Sequence, residues 1–148
     1  MFYNFRKNKK AFTLVELIVV IAIIAILGAV VGVTVSTFVN RARKTAATEP
    51  LNGLAGNWES YLVDSPNKKL KDVIAELFED NKTSFYVSAN AMWNTGISSL
   101  SGTQYIYFHN DDADKYWGEL KIVDGKAKKS DVKALDAAPS TKTEFPSA

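Results

Sequence analysis

Cysteine is absent from the 148 residues, and histidine occurs once, at His109. The lack of cysteine excludes disulfides, cysteine-ligated zinc and thiol catalysis. His109 has no serine or cysteine nucleophile motif around it, which favours a structural role for this residue. There is no phosphate-binding loop, and no dense basic surface of the kind that binds nucleic acid. The sequence therefore predicts neither an enzyme nor a cofactor.

Basic residues are concentrated at the N-terminus, where Arg6, Lys7, Lys9 and Lys10 occur among eleven residues that contain no acid. The formal charge of the whole chain is +2. Without this segment the chain would be slightly acidic, because only 14 of its 18 basic residues would remain against 16 acidic ones. The net charge therefore depends on a short N-terminal segment.

A long apolar stretch follows, and residues 17–33 contain only Leu, Ile, Val, Ala and Gly. With its flanks, from Phe12 to Val39, it is long enough to span a bilayer as a helix. Its single charge is Glu16, near the start. A secretory signal peptide or a plain signal anchor would explain a basic segment before an apolar one. The stretch is too long for the apolar core of a signal peptide, however, and acids inside membrane segments are costly and usually functional.

The residues KKAFTLVELIVVIAIIAILGAV resemble the class III signal of type IV prepilins and type II pseudopilins. The likeness covers about the first third of the chain. It implies a leader peptide over residues 1–11 and cleavage between Ala11 and Phe12 by a membrane-embedded prepilin peptidase, which then N-methylates Phe12. The family most often has glycine before the cut, whereas this chain has Ala11.

The resemblance also gives Glu16 a role in assembly. A charge in hydrocarbon requires a partner, and there are two candidates. One is the new amino terminus at Phe12 of the same chain, one helical turn away. The other is Phe12 of a neighbouring subunit, as in the family, which would set the axial register of an incoming subunit. Spacing alone supports the first equally well, and the two are not exclusive.

Gly28 and Gly32 are the weakest helix formers in the apolar segment. Related filaments unwind part of this helix on assembly, which makes the region around these glycines a candidate for local stretching. The alternative is that both are ordinary small residues of a transmembrane helix that allow close helix contacts.

The remainder predicts an α+β, pilin-like fold, in which a long N-terminal helix packs on a small antiparallel sheet. We expect the N-terminal helix over residues 12–49 and a head domain over residues 50–148. Pro50 should end or bend the helix, which resumes to about Val63. A short helix follows, from Leu70 to near Asp80.

Strands are expected at residues 84–88, 103–109 and 116–123. Asp124-Gly125 predicts a hairpin turn, with residues 126–129 returning as a short strand. From Ala134 onward we expect a loosely ordered tail.

Acidic residues cluster at Asp111, Asp112 and Asp114. Calcium binds six to eight oxygens from a shaped loop, and this cluster lacks the EF-hand spacing. Acidic residues also favour turns. We therefore expect a solvated turn, with a calcium site as the less favoured alternative.

The resemblance implies a structural subunit, the major pilin of a type IV pilus, which serves adhesion, twitching motility or DNA uptake. Its partners would be further copies of itself, the peptidase, an assembly platform protein and, indirectly, cytoplasmic ATPases. The precursor would cross the cytoplasmic membrane once, leader inside and head outside, and then enter an extracellular filament. The alternatives are a pseudopilin of a competence or type II secretion system and a membrane-tethered binding module that never polymerises. Lysine-rich composition without cysteine favours a pilin of Gram-positive type.

Overall fold

The computed structural model describes residues 12–146, so the expected leader and Ala11 lie outside the described residues. The chain divides between Val39 and Asn40 into two units. Among the described residues, the first unit is the apolar part of one long helix with two residues before it, and the second contains the hydrophobic core of the protein.

Helix α1 runs from Leu14 to Asp64 and contains Pro50. The helix therefore does not end at Pro50, and a bend at the proline stays a prediction. Proline removes one backbone donor, here the one that would bond the Ala46 carbonyl. Burial compensates for this loss, because Leu51, Leu54 and Trp58 directly after the proline are all buried in the core. Each fully buried large side chain contributes about 1.5–3 kcal/mol.

Helix α2 spans Leu70–Leu77 and buries Leu70, Val73 and Ile74. It lies against the core on the apolar face that its sequence predicts. Its C-terminal neighbour, Phe78, contacts Phe85 with ring centroids 4.7 Å apart. The second helix is thereby joined to the first strand through aromatic packing.

The five strands form one antiparallel sheet in the order β4-β3-β2-β1-β5. Their bounds are β1 Phe85–Val87, β2 Thr103–Phe108, β3 Trp117–Val123, β4 Val132–Leu135 and β5 Thr143–Glu144. The first three lie where a concentration of β-branched and aromatic residues predicts them. The expected α+β architecture, a long helix on an antiparallel sheet, is confirmed.

One face of the sheet packs against α1. Ile106, Phe108, Leu120 and Ile122 of this core face are buried with Leu51, Leu54 and Trp58 of the helix. We call the opposite face the outer face.

The turn at Asp124-Gly125 is present, with positive φ at both residues (49° and 74°). Residues 126–129 do not return as a strand, contrary to expectation. Lys126 makes only an isolated bridge to Val123. The chain then passes through a 3-10 turn at Lys129–Asp131 and pairs with β3 from Val132 onward.

The segment from Ala134, expected to be loosely ordered, instead completes both edges of the sheet. It ends β4 and then supplies β5, which pairs with β1. Phe145 packs edge-on against the buried Trp93 at a centroid distance of 5.1 Å. Short strands of this kind have no clear sequence pattern, because their pairing is made by backbone groups.

Candidate processing and assembly segment

The N-terminal end of α1 is closed by a reciprocal cap between Thr13 and Glu16. The Thr13 backbone N–H and hydroxyl both donate to Glu16 Oε2, each at 2.8 Å. The Glu16 N–H donates in turn to Thr13 Oγ1 at 3.2 Å. This is the capping-box arrangement, in which two orphan donors of the first turn are satisfied reciprocally. Thr-x-x-Glu before an apolar run is a known sequence signature of this cap, which our sequence interpretation did not use.

The cap leaves part of the Glu16 carboxylate available. Both threonine bonds end on Oε2, and within residues 12–146 no hydrogen bond or ion pair engages Oε1. Cleavage before Phe12 would not disturb the cap, because the Thr13 N–H belongs to the peptide bond after Phe12. The carboxylate can therefore keep the cap and still accept a bond from an amino terminus.

Phe12 directly precedes the cap and is 87% exposed. The expected cut and N-methylation at this residue remain predictions, since Ala11 is outside the described part of the chain.

The apolar half of α1 exposes its large side chains all around the helix. Between Phe12 and Val39 every Leu, Ile, Val and Phe is at least 37% exposed. The helix contains a window of mean hydropathy 3.1 and is long and apolar enough to cross a membrane. An exposed apolar surface of this extent indicates a lipid or protein partner.

Polar side chains near the end of this segment are satisfied within the helix. The Thr34 hydroxyl donates to the carbonyls of Val30 and Val31, and the Thr37 hydroxyl donates to that of Val33. Such internal bonds avoid unsatisfied polar groups in an apolar environment.

Gly28 and Gly32 lie inside continuous helix, and a Cβ added at either would have no atom within 4 Å. The glycines leave space on the helix surface for close approach by another helix. Whether they unwind in a filament stays a prediction.

Two of the clustered aspartates, Asp111 and Asp112, lie in an exposed 3-10 turn. The turn is capped by Asn110, whose side chain accepts from the Ala113 N–H at 3.1 Å. Asp114 forms an ion pair with Arg43 at 2.8 Å. No group of three His, Cys, Asp or Glu residues in the described chain is placed to hold a metal ion.

His109 is part of an aromatic stack. Its ring lies parallel to that of Trp117, with centroids 4.3 Å apart. Its Nδ1 lies 3.0 Å from the Tyr116 carbonyl oxygen, so this nitrogen is assigned as the donor. These contacts give the histidine a packing role.

The family model for the prokaryotic N-terminal methylation motif matches residues 6–32. No curated protein and no solved structure matches the chain. The matched residues include the basic segment, the expected cut and the apolar helix as far as Gly32. The chain thus carries the class III signal peptide of type IV pilins ahead of a pilin-like α+β fold, which supports a pilin-like or pseudopilin-like prepilin.

Proposed function

We propose that this chain is the major subunit of a type IV pilus, polymerised through residues 12–39. The observation that supports this most is the apolar helix, exposed on all sides, with its one carboxylate at the capped end. A helix that is apolar all round is stable in lipid or in a protein core. A precursor in the membrane and a subunit in a filament core would occupy these two environments in turn.

In this proposal Glu16 opposes premature release from the membrane. Glu16 and Val39 are 23 residue steps apart, or about 35 Å of helix at 1.5 Å per step. The hydrocarbon layer is about 30 Å thick. The carboxylate can therefore lie at the cytoplasmic headgroups while the apolar segment spans the bilayer. Outward movement would draw its charge into hydrocarbon, which is costly without a partner.

The partner that we propose is the methylated amino terminus of Phe12 on a subunit already in the filament. The free Oε1 atom can accept from that amine while Oε2 keeps the cap. Extraction would then be favourable only at the axial position where the two groups meet. The second unit, from Asn40 onward and including the head, would lie outside the cytoplasmic membrane. Separate ATPases and a platform protein would drive assembly.

N-terminal sequencing and mass measurement of the protein sheared from the cell surface test whether the chain is a processed filament subunit. The expected result is a chain that begins at N-methylated Phe12. A surface protein that retains residues 1–11 would contradict the filament proposal and favour the membrane-tethered binding module.

Substitution of Glu16 tests the assembly role. Glu16→Leu should still insert and be cut, yet it should assemble poorly alongside wild-type subunits. Glu49→Leu is the matched control, because Glu49 is an exposed acid of the same helix outside the apolar segment. If Glu16→Leu formed normal filaments, this would contradict the proposal that Glu16 sets the axial register of an incoming subunit.

The motif is shared by pilins and pseudopilins, so the choice between these rests on abundance. A major pilin should account for most of the mass of purified filaments. A pseudopilin of a competence or secretion system should instead be a minor component, or form no long surface filament.

A further inference from the structure

The outer face of the sheet contains a polar cleft beside β4. It is lined by side chains from β2, β3 and β4 and from the 3-10 turn before β4, namely Tyr105, Glu119, Lys121, Ser130, Asp131 and Lys133, and it encloses about 300 Å³. This volume is at the lower end of the range for small-molecule sites. All of its residues belong to the head.

The strand register brings these side chains together. Tyr105 pairs with Lys121 across β2 and β3, and Glu119 pairs with Lys133 across β3 and β4. Directly opposed residues have Cβ atoms about 4.5–5.5 Å apart. The cleft is therefore built on paired strands rather than on loops alone.

Glu119 is a carboxylate held at the base of the cleft. Its side chain is only 9% exposed, and Oε1 accepts from Lys133 Nζ at 2.8 Å. Among the contacts of residues 12–146, no other hydrogen bond or ion pair engages this carboxylate. Burial of a charge is costly unless it is paired and hydrogen-bonded. Oε2 is thus a positioned acceptor for a hydroxyl group.

The other groups add donors, acceptors and one apolar wall. The ring of Tyr105 stacks on that of Tyr107, with centroids 6.2 Å apart and planes 13° apart. Asp131 is fixed by its cap, in which Oδ2 accepts from the Lys128 N–H at 3.1 Å. Within the described residues, no hydrogen bond or ion pair engages the Tyr105 and Ser130 hydroxyls or the Lys121 ammonium.

The charges in the cleft are balanced. Glu119 and Asp131 are opposed by Lys121 and Lys133, so an anion or a cation would be attracted by one pair and repelled by the other. A neutral molecule with several hydroxyl groups can use carboxylate acceptors and ammonium donors together. A sugar ring also has an apolar C–H face that can pack on an aromatic ring.

The geometry points to a binding site for a neutral pyranose, presented as a free sugar or as a residue of a surface glycan, on the outer face of the sheet. The tyrosine packs against the ring, and the carboxylates and ammonium groups bond its hydroxyls. This site does not depend on polymerisation, because residues 12–39 contribute nothing to it.

The test is saturation-transfer NMR and titration calorimetry on the detergent-solubilised full chain. The probes are D-glucose, D-galactose, D-mannose and N-acetyl-D-glucosamine, with D-glucuronate and D-glucosamine as charged comparisons. We expect at least one neutral sugar to bind. Glu119→Gln and Ser130→Ala should each weaken the binding of that sugar about tenfold. This is the effect of one lost hydrogen bond to a charged or well-placed group.

Tyr105→Leu should remove the stacking and also weaken binding. Tyr61→Leu is the matched control, because Tyr61 lines a different polar cleft, with Lys68 and Glu76. Thermal unfolding shows whether each variant is folded. If Glu119→Gln does not fold, the sugar affinities of Ser130→Ala and Tyr105→Leu test the site instead.

Three results would overturn the site. These are no binding of any neutral sugar, binding of the charged sugars alone, and equal affinity in the Ser130 and Tyr105 variants. None of them would affect the filament proposal, which is tested by N-terminal processing. The first of these results counts only if tetrasaccharides of the four neutral sugars also fail to bind, because the proposal includes a sugar that is recognised within a glycan.

Discussion

The backbone carbonyl of Ala47 on α1 lies where a side chain on Gly118 of β3 would have to be. A Cβ built on Gly118 would overlap the Ala47 oxygen and would lie 2.9 Å from Leu51 Cδ1. Helix and sheet therefore approach each other at this point more closely than any other residue type allows. Since the obstructing atoms are mainly backbone, they cannot move aside as a flexible side chain could.

Gly118→Ala should destabilise the head at the high end of the 1–3 kcal/mol that is usual for overpacking, at about 3 kcal/mol. Thermal or urea unfolding measures the loss. Gly53→Ala is the control, because its Cβ would meet only Phe78 Cζ at 3.9 Å, and alanine is the better helix former. A neutral Gly118→Ala would show that the helix is free to move away from the sheet.

Two buried tryptophans differ in whether the indole N–H is bonded. Trp58 Nε1 donates to the Gly125 carbonyl at 2.8 Å and so links α1 to the turn after β3. Trp93 Nε1 is buried without a partner in the described structure. Trp58→Phe should therefore cost about 1–3 kcal/mol more than Trp93→Phe, because it leaves a buried carbonyl unpaired.

Equilibrium urea unfolding of the two variants gives this difference directly. Both changes remove similar volume, so the cavity contribution largely cancels in the comparison. Equal losses would indicate that water replaces the indole at Gly125.

The elements that the sequence predicts well are those whose residue types form a clear local pattern. Leu51, Leu54 and Trp58 recur at helical spacing and are all buried. The first three strands begin and end within about one residue of their expected bounds, because β-branched and aromatic residues are concentrated in them. The turn at Asp124-Gly125 was found from the two residue types that accept positive φ.

The parts that were misplaced depend on packing between distant residues. Pro50 is a strong local signal, but burial of the next helical turns outweighs the loss of one backbone bond. Lysines at positions 126, 128 and 129 gave no alternation from which to locate β4. Prediction of the cleft with Glu119 requires the pairing register of β2, β3 and β4, and no local sequence pattern gives this register.

The Thr13–Glu16 cap is different, since its signature was present in the sequence. Thr-x-x-Glu at the start of an apolar run marks a helix N-terminus. The resemblance to prepilins gives Glu16 an assembly role, and the same residue also has a capping role within its own helix. The structure supports the cap, and the assembly role remains our proposal.

The segment between β4 and β5 connects opposite edges of the sheet and has little length to spare. The two edges are four strand spacings apart, or about 19 Å. Leu135 is aligned with Trp117 and Thr143 with Val87, an offset of three residues, which adds about 10 Å along the strands and gives a separation of about 21 Å. The eight steps from Leu135 to Thr143 reach at most about 26–29 Å.

Deletion of Ala137, Ala138 and Pro139 should therefore release β5, because five steps reach only about 16–18 Å. Hydrogen exchange of the C-terminal peptide should rise as Phe145 leaves Trp93 and Lys142 leaves Trp117, over whose ring it lies at 4.2 Å. Insertion of two glycines at the same place is the control and should keep β5 paired. Unchanged protection in the deletion variant would show that the connection takes a shorter path.

Alkaline pH should destabilise the head through Tyr107, which is 4% exposed. Burial, followed by the charge of Glu119, raises the pKa of Tyr107 above its usual value. A raised pKa means that the folded state holds the proton more tightly than the unfolded chain. Its contribution to stability is then complete below the unfolded pKa of about 10 and is lost as pH rises through the folded pKa.

Tyr107→Phe removes the titrating group and should flatten this alkaline decline. Urea unfolding across about pH 8 to 11 measures the slope for wild type and variant. Tyr86 also has a raised pKa, owing to burial and then to Glu144, so a residual slope should persist in Tyr107→Phe and diminish further in the double variant with Tyr86→Phe. Equal slopes in wild type and double variant would contradict the assignment and place the alkaline sensitivity in the lysine ion pairs, such as Lys133 with Glu119, where the pKa of Lys133 is raised by its bond to that carboxylate.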